Sequence, residues 1–215
     1  MSKSKIVVSL DWDFFVAADR DFRKDNFPNS GAHRWNELTR NRLWKEQYDN
    51  NPDLWKVKVK DKEYRTIKEI CAAHKGVCMV AESHKDIYEF IMREVPEGEI
   101  ELWNIDYHHD TYQTGSDILT CGNWVSKLFD TRALEYFWVP DETSDIEGLD
   151  TRAKAVSFDY IPTAQEINAI FLCRSDIWTP PHLDAKFGTL AKTLYKRGAI
   201  YNNMTRRRIK TPRKA

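Results

Sequence analysis

The sequence predicts an α/β three-layer sandwich built on a mainly parallel sheet. Short apolar runs rich in β-branched residues alternate with segments whose apolar residues recur every three or four positions. The runs are nearly continuous in apolar residues, as strands covered on both faces are, and alternating strand and helix is the order of a layered parallel fold. At 215 residues the chain is long enough for one domain with a real core, and residues 1–204 are read as that domain.

Taken in order, strands are expected at Ile6–Leu10, Val77–Val80, Ile100–Ile105, Glu135–Val139, Ala155–Phe158 and Ile170–Cys173. Helices are expected at Tyr64–His74, His84–Arg93, Asn123–Phe129 and Pro181–Lys196, the last stopping at Gly198. Ser83 followed by Asp86 resembles a capping box and sets a helix start at His84. The stretch 17–63, with Trp35, Leu38, Leu43, Trp44 and Trp55 among many charges, reads as a partly helical insertion over the first strand.

Charge and composition exclude several classes. Lys+Arg and Asp+Glu are equal at 33 each, which is not the balance of a dedicated nucleic-acid binder. Six of those basic residues lie between Arg206 and Lys214, so the rest of the chain holds 27 against 33 and is net −6. The basic tail, 205–215, is expected to be disordered; as alternatives to an idle terminus it is a phosphate-binding arm or a guide for an acidic peptide. No run approaches the roughly 20 apolar residues of a membrane helix, and the first residues lead straight into a strand, so no membrane association and a cytoplasmic address are expected. Cys71, Cys78, Cys121 and Cys173 lack zinc-site spacing and are read as reduced and structural.

The chemistry is expected at the carboxyl ends of the strands. Ser9-Leu10-Asp11-Trp12-Asp13 ends the first strand, Asn104-Ile105-Asp106-Tyr107-His108-His109-Asp110 ends the third, and Glu82-Ser83-His84 follows the second. Alternation along an extended chain puts Asp11 with Asp13, and Asp106 with His108 and Asp110, on common sides. Four carboxylates in one crevice need compensation by protons or a metal. Oxygen-rich ligands with imidazoles suit Mn²⁺, Fe²⁺ or Zn²⁺. Solvated strand ends or caps are the alternative.

These residues resemble the arginase and ureohydrolase superfamily, which also contains deacetylases. Asp106-Tyr107-His108-His109-Asp110 is similar to its DxHxD signature, Asp11-Trp12-Asp13 to its DxD pair, and His84, 22 residues before Asp106, to its first histidine ligand. Cys121-Gly122-Asn123-Trp124 resembles the turn lining the arginase pocket. Leu10-Asp11-Trp12-Asp13-Phe14-Phe15 and Trp178-Thr179-Pro180-Pro181 are closer to a small branch that includes peptide arginases. The DxD here precedes the DxHxD, whereas arginases have it later, so the strand order is expected to be permuted. Val125 stands where arginases carry a proton-shuttling histidine.

The resemblance implies an arginase-like sandwich holding two Mn²⁺, with Zn²⁺ or Fe²⁺ as alternatives. Asp106 and Asp11 would bridge the metals, His84 and Asp110 would complete one, and His108 and Asp13 the other. Asp110 would accept the proton of the attacking water, and His109, His182 or bulk water would replace the shuttle; His109 also alternates away from its neighbours, which reads as a structural position behind the ligands. Asp176 would pair with a guanidinium or else cap the following Pro-started helix, Asn123 would line the pocket, and Trp12, Trp124 and Trp178 would offer π faces or else serve as core and rim aromatics. The expected substrate is an arginine-containing peptide or small guanidino compound, yielding ornithine and urea. The alternatives are a one-zinc deacetylase-like amide hydrolase and a binder without activity. Homo-oligomerisation is left open.

Overall fold

A computed structural model of the chain describes residues 4–28, 36–113, 117–196, 198, 200 and 201. The basic tail lies outside the described residues. The fold is an α/β sandwich around a seven-stranded sheet in which every pairing is parallel. The main strands are β1 (Lys5–Asp11), β4 (Val77–Ala81), β5 (Ile100–Ile105), β6 (Leu134–Val139), β7 (Ala153–Ala155), β8 (Ala169–Cys173) and β9 (Ile200–Tyr201), ordered β7-β6-β5-β1-β8-β4-β9. Two further strands, β2 (Val16–Ala17) and β3 (Lys58–Val59), form a separate antiparallel pair.

Each face carries its own helices. On one, α3 (Asp61–Ala73) buries Tyr64, Ile67 and Cys71, and α6 (Asp184–Tyr195) buries Phe187, Leu190, Ala191 and Leu194, both at helical spacing. Ile6, Val8 and Leu10 of β1 point into this layer. On the other face, α4 (Asp86–Glu94) buries Ile87, Phe90 and Ile91, and α5 (Trp124–Thr131) buries Trp124, Val125 and Leu128 against Val7, Ile100 and Leu102. The two-residue period of the strands divides each apolar run between both layers, which is why the runs read as continuous.

The insertion contains α1 (Arg20–Asn26) and α2 (Glu37–Asn50), and adds Phe27, Trp44, Tyr48, Leu54, Val57 and Val59 to the first core layer. It is therefore packed into the fold as well as covering the first strand. Two local expectations are corrected. The strand expected at Ala155–Phe158 is Ala153–Ala155, and Phe158 opens a 3-10 turn because Ser157 caps Asp159 N–H. The helix expected from His84 starts at Asp86, with no side-chain cap; Ser83 accepts through its backbone carbonyl instead. His84 thus lies in a turn ahead of the helix. Among the described residues no helix is long and apolar enough to cross a membrane, and all four cysteines are free.

Helices after β1 and β8 cover one face and those after β4 and β5 the other, so a crevice opens between neighbouring carboxyl ends. Register does the rest. Ile105 pairs with Leu10, which sets Asp106 level with Asp11, and Cys173 lies between Asp11 and Ala81.

Candidate metal centre

Six expected ligands converge at this crevice. Asp11, Asp13, His84, Asp106 and Asp110 are all at most 4% exposed, while the His108 side chain is 33% exposed and faces the cleft. Simple strand alternation does not bring them together, which corrects the sequence reading. After Asp11 the chain enters a 3-10 turn, Trp12–Phe15, and Asp13 N–H donates to Asp11 Oδ1 at 3.1 Å. After Asp106 the chain bends, with His108 N–H donating to Asp106 Oδ1 at 2.9 Å, and Asp110 adopts a left-handed backbone, φ 53°. Aspartate tolerates that region better than most residues.

His84 Nδ1 lies 3.0 Å from Asp11 Oδ2, 3.1 Å from Asp106 Oδ2 and 3.0 Å from Asp110 Oδ2, yet makes a hydrogen bond to none of them. One N–H cannot point at three oxygens. A cation about 2.1 Å from each ligand in an octahedral shell would separate neighbours by about 3.0 Å, which is the spacing found. The second group is His108 Nδ1, 3.1 Å from Asp13 Oδ2 and 3.9 Å from Asp106 Oδ1; Asp13 Oδ2 is also buried without a hydrogen bond. These buried groups could hold a metal ion. Asp106 is common to both groups. Asp11, the other expected bridge, belongs to the first, because its second oxygen is turned to Asp13 N–H.

Without a metal the charges compensate one another. Burial, then the charges of Asp110, Asp11 and Asp13, raises the Asp106 carboxyl well above its ordinary value. Burial and Asp13 raise Asp11. For Asp13 burial acts upward, but His108 and Arg23 outweigh it and hold the carboxyl below the usual range. Burial lowers both histidines, but the surrounding carboxylates win: His84 is raised well above its ordinary value and His108 to about 9. Both shifts favour the protonated rings among these carboxylates when no metal is bound.

Several supports were not anticipated. Ser9 Oγ lies 2.6 Å from His84 Nε2, Asn104 Nδ2 donates to Asp106 Oδ2 at 3.2 Å, and Ser175, at φ 48°, donates its hydroxyl to Asp11 Oδ2. Trp138 Nε1 donates to the Asp106 carbonyl at 3.0 Å. The available signal was polarity: Ser9 and Asn104 interrupt apolar strands and are fully buried.

Other expected roles are corrected. His109 is buried, with Nδ1 accepting from Thr111 N–H at 3.1 Å and Nε2 bonding the Glu147 carbonyl at 3.0 Å, so both nitrogens brace loops and the ring is not placed as a proton shuttle. His182 is likewise engaged, with Tyr48 and the Val57 carbonyl. Asn123 accepts from Thr120 N–H and donates to the Ile118 carbonyl, holding its own loop rather than facing a ligand. Trp12 is fully buried against Phe15, Tyr64 and Phe187 in the core. Trp124 is also buried, and Nε1 donates to Asp110 Oδ2 at 2.6 Å, so it positions a carboxylate instead of offering a π face. Trp178 is half-buried, 5.5 Å from the His108 ring, between two clefts. Asp176 opens the short turn after Ser175; its side chain lies outside the described residues.

The clefts meet the centre from two directions. One, of about 540 Å³, reaches His108; the other, of about 610 Å³, reaches His84, Cys121 and Ser175. Compared with models of known protein families, with curated proteins and with solved structures, the chain matches none.

Proposed function

We propose that this chain is a metal-dependent hydrolase of C–N bonds that converts arginine side chains within a peptide to ornithine, releasing urea, with two Mn²⁺ as cofactors. The observation that carries the reading is the division of Asp106, one oxygen facing the His84 group and the other the His108 group. Two adjacent buried sets sharing a carboxylate suit a pair of cations better than one. His84, Asp11, Asp106 and Asp110 would hold the first ion, and His108, Asp13 and Asp106 the second. Such ions supply Lewis acidity and a water activated near neutral pH.

The protein's own groups do the remainder. Asp110, fixed by Trp124 Nε1, accepts the water's proton as the C–O bond forms at the guanidinium carbon. It returns that proton to the side-chain nitrogen as the C–N bond breaks, leaving an amine and urea. Trp178 lies beside His108 at the mouth, where its face can stack on a guanidinium. Asp176, the residue after Ser175 in the chain, is the proposed counter-charge.

The test is to incubate manganese-loaded protein with arginine-containing peptides and with free arginine. Each modified residue lowers the peptide mass by about 42 Da, the CN₂H₂ lost when urea forms by hydrolysis. About two manganese per chain, with free arginine turned over far more slowly, supports the proposal. Unchanged peptides, or cleavage of acetyl-lysine peptides alone by a one-zinc protein, would overturn it.

A further inference from the structure

We infer that the cleft beside His108 recognises an anionic group of the substrate through Arg23, so that the preferred peptide carries a carboxylate next to its arginine. The inference rests on the proposed hydrolase reading and names the substrate class of that site. Arg23 is 8% exposed, lines the cleft, and has no carboxylate in ion-pair range among the described residues. Its Nε donates to the Ala18 carbonyl at 2.9 Å and its Nη2 to the carbonyls of Asp13 and Val16, each at 2.8 Å. The guanidinium carbon lies 4.1 Å over the Tyr107 ring. Nη1 makes no hydrogen bond among the described residues.

A guanidinium this buried is normally paired, since desolvating a full charge is expensive. Carbonyl dipoles and an aromatic face compensate it in part. The acid whose charge it feels is Asp13, and Asp13 is committed to the His108 group. Among the described side chains of the cleft, Asp145 is taken up by Arg20 at 2.5 Å, and Asp25 lies exposed on α1 beside Lys24, outside ion-pair range of Arg23. Two bound divalent cations would balance the charges of Asp11, Asp13, Asp106 and Asp110. The Arg23 charge then remains for a ligand, in the same cleft as the reacting centre, and a planar fork suits a carboxylate.

The experiment is equilibrium titration calorimetry of manganese-loaded protein with three ornithine peptides, which have no guanidinium to hydrolyse: N-acetyl-Orn-Glu-amide, N-acetyl-Orn-Gln-amide and N-acetyl-Orn-Gln with a free carboxyl terminus. The Glu peptide should bind about tenfold more tightly than the Gln amide, equivalent to about 1.4 kcal/mol, with the ratio shrinking in added salt. Arg23→Gln should abolish the preference. Since that change also removes bonds to three carbonyls, Lys24→Glu is the second variant; placing an acid on the exposed rim should cut the preference several-fold without touching the core. Tighter binding of the free-acid peptide than of the Glu amide would identify the group as a terminal carboxylate, and weaker binding as a side chain. Equal affinity for Glu and Gln amides, or a preference intact in both variants, would overturn the inference. Urea release alike from the arginine counterparts of all three peptides, with no binding preference, would leave the hydrolase reading standing without this inference, whereas selective binding of acidic peptides with no urea from the arginine counterparts would leave this site standing and remove the hydrolase.

Discussion

Ser9 Oγ sits 2.6 Å from His84 Nε2, in the middle of the central strand, and so fixes which nitrogen of the ring faces the three carboxylates. With Nδ1 as a ligand, Nε2–H donates to the serine. Outer partners of this kind set ring orientation and ligand strength. Ser9→Ala should therefore weaken metal binding by about 10- to 100-fold while leaving the fold intact. Metal titration with circular dichroism as control checks this, and unchanged affinity would refute the orienting role.

Asp106 and Asp13 should differ in how much metal they retain. Asp106 serves both groups and Asp13 one. Asp106→Ala should lose both equivalents and all activity, whereas Asp13→Ala should keep about one equivalent at the His84 group. Elemental analysis of dialysed protein distinguishes them. Equal loss from both variants would argue against two separable sites.

Metal loading should release protons. His108 is raised to about 9 and His84 is shifted in the same direction, so both shifts favour protonated rings before metal arrives. A metal must displace those protons, and affinity should fall as pH is lowered. The sign for the metal-free chain is opposite. A histidine with a raised folded pKa contributes stability that is complete below its unfolded value, and this is lost as pH rises through about 9 for His108. Stability should thus decline with rising pH in the metal-free protein and be restored by manganese. Calorimetric titration in buffers of different ionisation heat counts the protons; no release would contradict the charge state derived for the centre.

Trp124→Phe removes the N–H that Asp110 Oδ2 accepts at 2.6 Å. A buried acceptor left without its donor costs about 1–3 kcal/mol. Lower thermal stability of the metal-free protein together with weaker metal binding is expected. A loss of stability alone would show that Trp124 does not position the carboxylate.

Trp12→Phe tests the opposite assignment. Trp12 packs on Phe15, Tyr64 and Phe187 and is fully buried, so shrinking it should destabilise the fold by about 1–3 kcal/mol without altering peptide affinity. Denaturant unfolding and peptide titration separate the two effects. A change in peptide affinity at constant stability would restore Trp12 to the binding surface.

The sequence by itself determined the parallel α/β class and the gathering of acids and histidines at its strand ends. Both are local properties: apolar runs such as Ile6–Leu10 and Ile100–Ile105 need burial on two faces, and acids and histidines directly after them must lie at one sheet edge. Tertiary structure alone decided that β8 lies between β1 and β4, which carries Ser175 to Asp11, because strand order depends on pairing between residues far apart in the chain. It also decided the directions of Trp12 and Trp124. Both flank motif residues, but one leaves a 3-10 turn into the core and the other starts a helix aimed at Asp110. The left-handed backbone at Asp110, and an Arg23 Nη1 without a hydrogen bond among the described residues, belong to the same kind of fact. Side-chain direction in a turn follows from backbone angles and from what packs behind them, and neither is carried by residue spacing.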